Sequence, residues 1–293
     1  MIYIKHETRK EKTMSKKKLI TLLCVSTLVA LVALVGCTSG GSQSSNSSST
    51  NSSSSSSGSM SNTASSGYTL ISDGKLTIVA SLDFPPFENL EGGKPVGFAI
   101  DLMGLICEEL GLECNYLPSV KFDTIVPMIS AGGKADVGVS SITITEVREK
   151  EVDFTTPYCD SNQSLVVMKG SSYTKADDLS GKKIGAQSGT TGYDWASENI
   201  KNAEVVAFDE MTAVFMALQA GQIDAIAVDL PVAQYYVKNS YTDAEVVQQI
   251  PTGEQYAIAV SKDNPALTKA LNDALKSLKS NGKYDELYRK WFG

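Results

Sequence analysis

Between residues 75 and 291, short apolar runs alternate with stretches whose apolar residues recur every three or four positions. The run at 75–80 (KLTIVA) has the alternation of a strand. It leads into Ser81-Leu82-Asp83-Phe84-Pro85-Pro86-Phe87-Glu88, where paired prolines stiffen a loop that displays aromatics. Residues 97–111 read as a helix, with Leu102, Ile106 and Leu110 on one face and Gly111 as the terminating residue. A short strand follows at 113–117, and 122–131 has helical spacing through Ile125, Met128 and Ile129. Ala135, Val137 and Val139 then form a short strand. Further strands are predicted at 164–168, 183–186, 204–208, 225–228 and 256–260. Helices are predicted from Tyr193, over 211–220, over 265–279 with Pro265 at the first position, and over 284–291. Strands alternating with helices place the chain in the α/β class with largely parallel sheets.

One segment echoes another. MISAGGKADV at 128–137 and MALQAGQIDA at 216–225 share a helix, a Gly, two spacers, an Asp and a strand. Aligning Asp136 with Asp224 sets Ser141 and Asp229 at equivalent positions. A doubled unit implies two similar lobes whose strand ends face one cleft, the place where open α/β sheets bind ligands.

The first 67 residues break this pattern. Lys16, Lys17 and Lys18 precede an uncharged run at 19–35 that ends in Gly36-Cys37, the layout of an export signal with Cys37 as a lipidation candidate; either Met1 or Met14 could start it. An uncleaved anchor is the alternative, the run being near the lower limit of about 17 residues for a span. Residues 37–67 are nearly all Ser, Gly, Asn and Thr, a flexible tether that cannot build a core. The expected organisation is a leader at 1–36, a tether at 37–67, one lobe from 68–162 with 255–293, and a second lobe at 163–254.

Charge and cysteines narrow the function. Without residues 1–36 the chain keeps 19 Lys and Arg against 31 Asp and Glu, a net of −12 that disfavours a nucleic-acid partner. The one histidine, His6, lies in the leader, so a His-containing metal site or His-dependent triad is excluded from the exported chain. Cys107, late in a helix, and Cys114, just past its Gly111 stop, are placed for a short local bridge that an exported protein permits, leaving Cys159 unpaired.

Chemistry gathers around 133–158 (GKADVGVSSITITEVREKEVDFTTPY). Ser140, Ser141, Thr143 and Thr145 precede a single Arg148 among acidic neighbours. Hydroxyls at a strand end with a guanidinium fork beyond them suit a carboxylate; a surface pair with Glu149 or Asp153 is the plainer alternative. Gly189-Thr190-Thr191, before a helix, offers backbone donors for the same anion. Asp229, a carboxylate at a strand end, can accept an ammonium. Carboxylate and ammonium together are the signature of an α-amino acid.

With these motifs in place, residues 68–293 resemble the extracytoplasmic solute-binding proteins that deliver polar amino acids to ABC importers. The resemblance rests on Asp83-Phe84-Pro85-Pro86-Phe87-Glu88, Gly97-Phe98-Ala99-Ile100-Asp101-Leu102, residues 140–148, Gly189-Thr190-Thr191 and Gly221-Gln222-Ile223-Asp224-Ala225. It implies two α/β lobes joined by crossing strands, closing on the ligand as a monomer, without cofactor or metal, with permease and ATPase as separate chains. It implies that Arg148, Thr143 and Thr191 grip the α-carboxylate, Asp229 and Ser141 the amino group, while Phe84 and Phe122 sandwich the side chain. The Cys107/Cys114 spacing also resembles a disulfide of some members. Ser81 stands where several members carry an acidic residue, and Gly192 leaves room where others place a longer side chain. Asp83, Glu88 and Gln187 become the side-chain candidates, favouring Arg or Lys as ligand, with Gln as the alternative. A dehydratase on the same scaffold, with Asp83 or Glu88 as general acid, is the competing enzyme reading.

Overall fold

The computed structural model describes residues 67–293. The leader, the lipidation candidate Cys37 and most of the Ser-rich tether lie outside the described residues. In order, the elements are β1 (Lys75–Val79), β2 (Asp83–Phe84), β3 (Glu88–Glu91), β4 (Lys94–Val96), α1 (Phe98–Leu110), β5 (Glu113–Tyr116), α2 (Ile125–Ala131), β6 (Val137–Thr143), α3 (Glu146–Glu151), β7 (Asp153–Phe154) and β8 (Cys159–Met168). They continue with β9 (Lys183–Gln187), α4 (Thr191–Asn199), β10 (Glu204–Phe208), α5 (Met211–Gln219), β11 (Ala225–Asp229), α6 (Leu230–Asn239), β12 (Ala244–Val260), α7 (Pro265–Ser280) and α8 (Lys283–Phe292).

The main sheet runs β10-β9-β11-β8-β12-β6-β1-β5, with β7 beside β12, and β2-β3-β4 form a small separate sheet. Two parallel groups emerge. β1 pairs in parallel with β5 and β6, and β9 with β10 and β11. The antiparallel strands β8 and β12 lie between the groups and join them. Their mutual register slips between Ile250 and Glu254, around Gly253 with its φ of +67°.

The apolar pattern builds this arrangement. In α7, Leu267, Leu271, Ala274, Leu275 and Leu278 recur every three or four residues and are all buried. Each such leucine contributes roughly 1.5–3 kcal/mol over an exposed one. α1 buries Leu102, Met103 and Ile106 and stops at Gly111, whose φ of +67° lets its N–H reach the carbonyls of Cys107 and Glu108. Cys107 and Cys114 are disulfide-bonded, tying the end of α1 to β5. Cys159 is free and half-buried; burial, then the charges of Asp160 and Glu88, push its thiol up to about 12.

The structure extends several expected elements. The strand expected at 164–168 begins at Cys159, and that expected at 256–260 begins at Ala244. Their added halves are rich in Gln, Glu, Asn and Ser, so no apolar run marks them. Ser140, Ser141 and Thr143 of the hydroxyl cluster lie within β6 rather than after a short apolar strand, and Thr145 lies beyond it. α4 starts at Thr191 rather than Tyr193, and 122–131 is a 3-10 turn (Phe122–Thr124) followed by α2. α3, α6 and the β2-β3-β4 sheet are additions; α6 begins with Pro231 in its first turn, where the missing N–H costs nothing.

Candidate ligand-binding site

The ends of β6 and β11 and the start of α4 converge on a narrow, largely closed cavity. It is lined by Ser140, Ser141, Thr143 and Arg148 from one parallel group, and by Gln187, Thr190, Thr191 and Asp229 from the other. Ser81, Phe84 and Phe122 complete the wall.

Arg148 is aimed by local structure. Thr145 caps α3 by accepting the Arg148 backbone N–H at 3.2 Å, a Thr cap at the usual position. The guanidinium donates to the Thr143 carbonyl at 2.7 Å and, across the cavity, to the Gly189 carbonyl at 2.9 Å. Phe122 lies against it, 5.3 Å from ring centre to guanidinium carbon. The alternative surface pair with Glu149 or Asp153 does not form among the described contacts. Burial pushes the Arg148 pKa down, while Asp229, Asp194 and Glu254 oppose that shift. A guanidinium stays charged and carries five donors, so those not taken by the two carbonyls remain for a ligand.

Asp229 is a buried carboxylate at the end of β11. It accepts from Tyr256 Oη at 2.7 Å and Ser161 Oγ at 3.3 Å. Burial first, then the charge of Glu254, raise its pKa to about 7, hydrogen bonds from Tyr256 and Gln163 pulling the other way. An arriving ammonium would favour its ionised form.

Ser141 takes φ = +49°, a left-handed conformation unusual for a residue with a side chain. It sits where β6 and β12 lose register, between the pairs at Ala257 and Ala259. The carboxyl of Glu88 pins it there by accepting from Ser141 N at 3.0 Å and Oγ at 2.9 Å. Glu88 is fully buried and its pKa is raised to about 8, chiefly by burial. Gly97 makes the Glu88 loop possible: a Cβ there would lie 2.0 Å from the Phe87 carbonyl oxygen. The N–H groups of Phe98 and Ala99 then bond the Pro86 and Phe87 carbonyls, docking the proline loop on α1.

Several expected roles are corrected. Glu88 does not line the cavity; it positions Ser141. Asp83 also faces elsewhere, accepting from Thr212 N at 3.0 Å, Thr212 Oγ1 and Tyr236 Oη, all on the other side of the cleft. Gly189 contributes its carbonyl to Arg148 rather than only N–H donors. Thr190 caps α4, accepting from Tyr193 N at 3.2 Å while its hydroxyl donates to the Gln187 carbonyl at 2.7 Å. Gly192 leaves no spare room, since a Cβ would come within 2.9 Å of Gln163 Oε1 and 3.0 Å of the Ala227 carbonyl. Phe122 lies over Arg148 as well as lining the cavity.

Other contacts bridge the cleft. Lys121 pairs with Asp209 at 2.7 Å, and Ser188 donates to Asp123 at 3.1 Å. Both are exposed, and such surface pairs contribute little each. The sequence reading missed Glu254, whose carboxylate accepts from Thr143, Thr191 and Gln163. Its only sequence signal is a lone acid two residues before Tyr256, in a stretch without strand alternation.

The family model for bacterial extracellular solute-binding proteins, family 3, matches residues 76–293, the elements that build this cleft. The chain belongs to that family. A similar relative of this binding protein is ABC transporter arginine-binding protein 1 of Escherichia coli (strain K12), 33% identical over 224 residues covering 74% of this chain and 90% of that protein. The ABC transporter glutamine-binding protein of Bacillus subtilis (strain 168) is 37% identical over 207 residues, 70% of this chain and 75% of that protein. Among solved structures, an ancestral arginine-binding protein bound to arginine matches with a TM-score of 0.72 and 40% identity, over 75% of this chain and 99% of that one. The fold is thus that of the two-lobe amino-acid-binding proteins.

Proposed function

We propose that this binding protein captures a polar amino acid outside the cytoplasmic membrane and delivers it to an ABC importer whose permease and ATPase are separate chains. The observation that carries this reading is the opposition of Arg148 and Asp229 in one cavity, a guanidinium for the α-carboxylate and a carboxylate for the α-ammonium. Arginine- and glutamine-binding relatives support the ligand class. Residues 68–162 with 255–293 and residues 163–254 would move as two bodies about β8 and β12, the binding protein acting as a monomer without catalysis. Cys37 would carry the lipid that holds it at the outer face of the membrane.

The side-chain end of the cavity favours arginine, with glutamine second and lysine third. Asp83 and Glu88 are engaged elsewhere, so Ser81, Phe84 and Gln187 offer hydrogen bonds and an aromatic face but no spare carboxylate. A weakly hydrated planar guanidinium can use such a surface, and so can an amide, whereas a compact ammonium needs a charge partner. Calorimetric titration with the common amino acids tests this. Arginine or glutamine should bind best, lysine should lag, and silence toward every amino acid would overturn the functional reading.

A further inference from the structure

We infer that Glu254 is a positioning residue that ties the two sides of the cleft together and sets the direction in which its threonines hydrogen-bond. Glu254 is the first residue of β12 to regain register with β8, opposite Ser161, after the slip at Gly253. Its carboxylate accepts from Thr143 Oγ1 at 3.1 Å, Thr191 Oγ1 at 2.9 Å and Gln163 Nε2 at 3.1 Å. Thr143 ends β6 in one parallel group, and Thr191 opens α4 in the other. One acceptor on the connecting strand therefore holds a donor from each side.

The chemistry of a hydroxyl makes this arrangement directional. Thr has one proton to donate and two lone pairs to offer. When Thr143 and Thr191 both give that proton to Glu254, they meet the cavity as acceptors. Acceptors in the same cavity as Asp229 suit an ammonium, which leaves the carboxylate to Arg148 and the partial positive charge at the start of α4. This revises the expectation that the two threonines donate to the carboxylate. Gln163 supports the arrangement: it is fully buried, and its Nε2 also reaches Thr191 Oγ1 at 3.2 Å. Gly192, lacking a Cβ, is what allows Gln163 this close.

Two measurements on Glu254→Ala and Glu254→Gln test the assignment. Distances between spin labels on the two lobes of the ligand-free protein read closure directly. Titration with arginine and glutamine reads the effect on affinity, the only arm that rests on the amino-acid reading. Glu254→Ala should open the ligand-free protein and weaken binding roughly tenfold or more, as expected for losing hydrogen bonds to a charged group. Glu254→Gln should fall between the two, because its single carbonyl oxygen can still accept while its amide faces the Gln163 amide. It also keeps the side chain's shape and serves if the alanine variant does not fold. Lobe distances unchanged in both variants, or binding that tightens, would overturn the role. If no amino acid binds even the wild type, the distances still decide the clasp while the functional reading fails by itself.

Discussion

The two parallel groups of the sheet share a frame and differ at their functional ends. At the base of β6, Asp136 exchanges backbone bonds with Thr77: its N–H donates to Thr77 O at 2.8 Å, and its carboxylate accepts from Thr77 N at 2.8 Å. At the base of β11, Asp224 does the same with Lys183, at 2.8 and 2.9 Å. The repeated Gly-x-x-Asp pattern is therefore a structural bracket that fixes where each strand starts. Five residues on, the frames diverge. One delivers Ser141, pinned by Glu88 in a left-handed bulge; the other delivers Asp229, held by Tyr256 and Ser161. Repetition sets the geometry, and the strand-end residues give each side its charge.

The largest effect should come from removing one side's charge. Arg148→Ala should weaken ligand binding from several-fold to more than a hundredfold, since hydrogen bonds to charged groups contribute about 1.5–3 kcal/mol each. Asp229→Asn should do comparable damage from the opposite side. Calorimetry that finds either variant unimpaired would remove that residue from the amino-acid clamp.

Acidity should separate the sides next. Asp229 must be ionised to hold an ammonium, so affinity should fall as pH drops below about 7, approaching tenfold per pH unit. Asp229→Asn should flatten that slope. Stability of the ligand-free protein should move the other way. The raised values of Asp229 and Glu88 favour their protonated forms in the fold, so their contribution is full below about pH 4 and is lost as pH rises through about 7 and 8. Thermal melts with and without ligand across pH 5–9 would show the opposed slopes.

The smallest effect should show the sameness. Asp136→Asn and Asp224→Asn should each cost about 1–2 kcal/mol of stability with little change in affinity, because each weakens a bracket far from the ligand. Denaturant titrations giving very unequal losses would break the equivalence of the two frames.

Much of this was legible in the chain. Apolar runs marked the parallel strands, Gly111 and Pro265 marked helix ends, and the Asp136/Asp224 echo placed Ser141 and Asp229 on matching strand ends. The crossing strands were half-hidden because a strand that leaves one core for another loses its apolar neighbours. Asp83 and Glu88 misled for a related reason: a carboxylate near the right motif looks alike in sequence whether it meets the ligand or a buried backbone N–H. Glu254 was illegible because its role depends on pairing with Thr143 and Gln163, 111 and 91 residues away.

The packing of α8 carries a consequence for the order of assembly. Phe292 lies 5.1 Å from Phe98 and 5.3 Å from Phe87 between ring centres, and Trp291 Nε1 donates to Asp101 across 190 residues of chain. The aromatic floor beneath the proline loop is thus finished by residues made about 190 positions after those of α1. The group containing β9, β10 and β11 is drawn from one unbroken stretch and can form during synthesis. The group containing Arg148 must wait for α8, so the cleft acquires its guanidinium wall only after the opposite wall has been made.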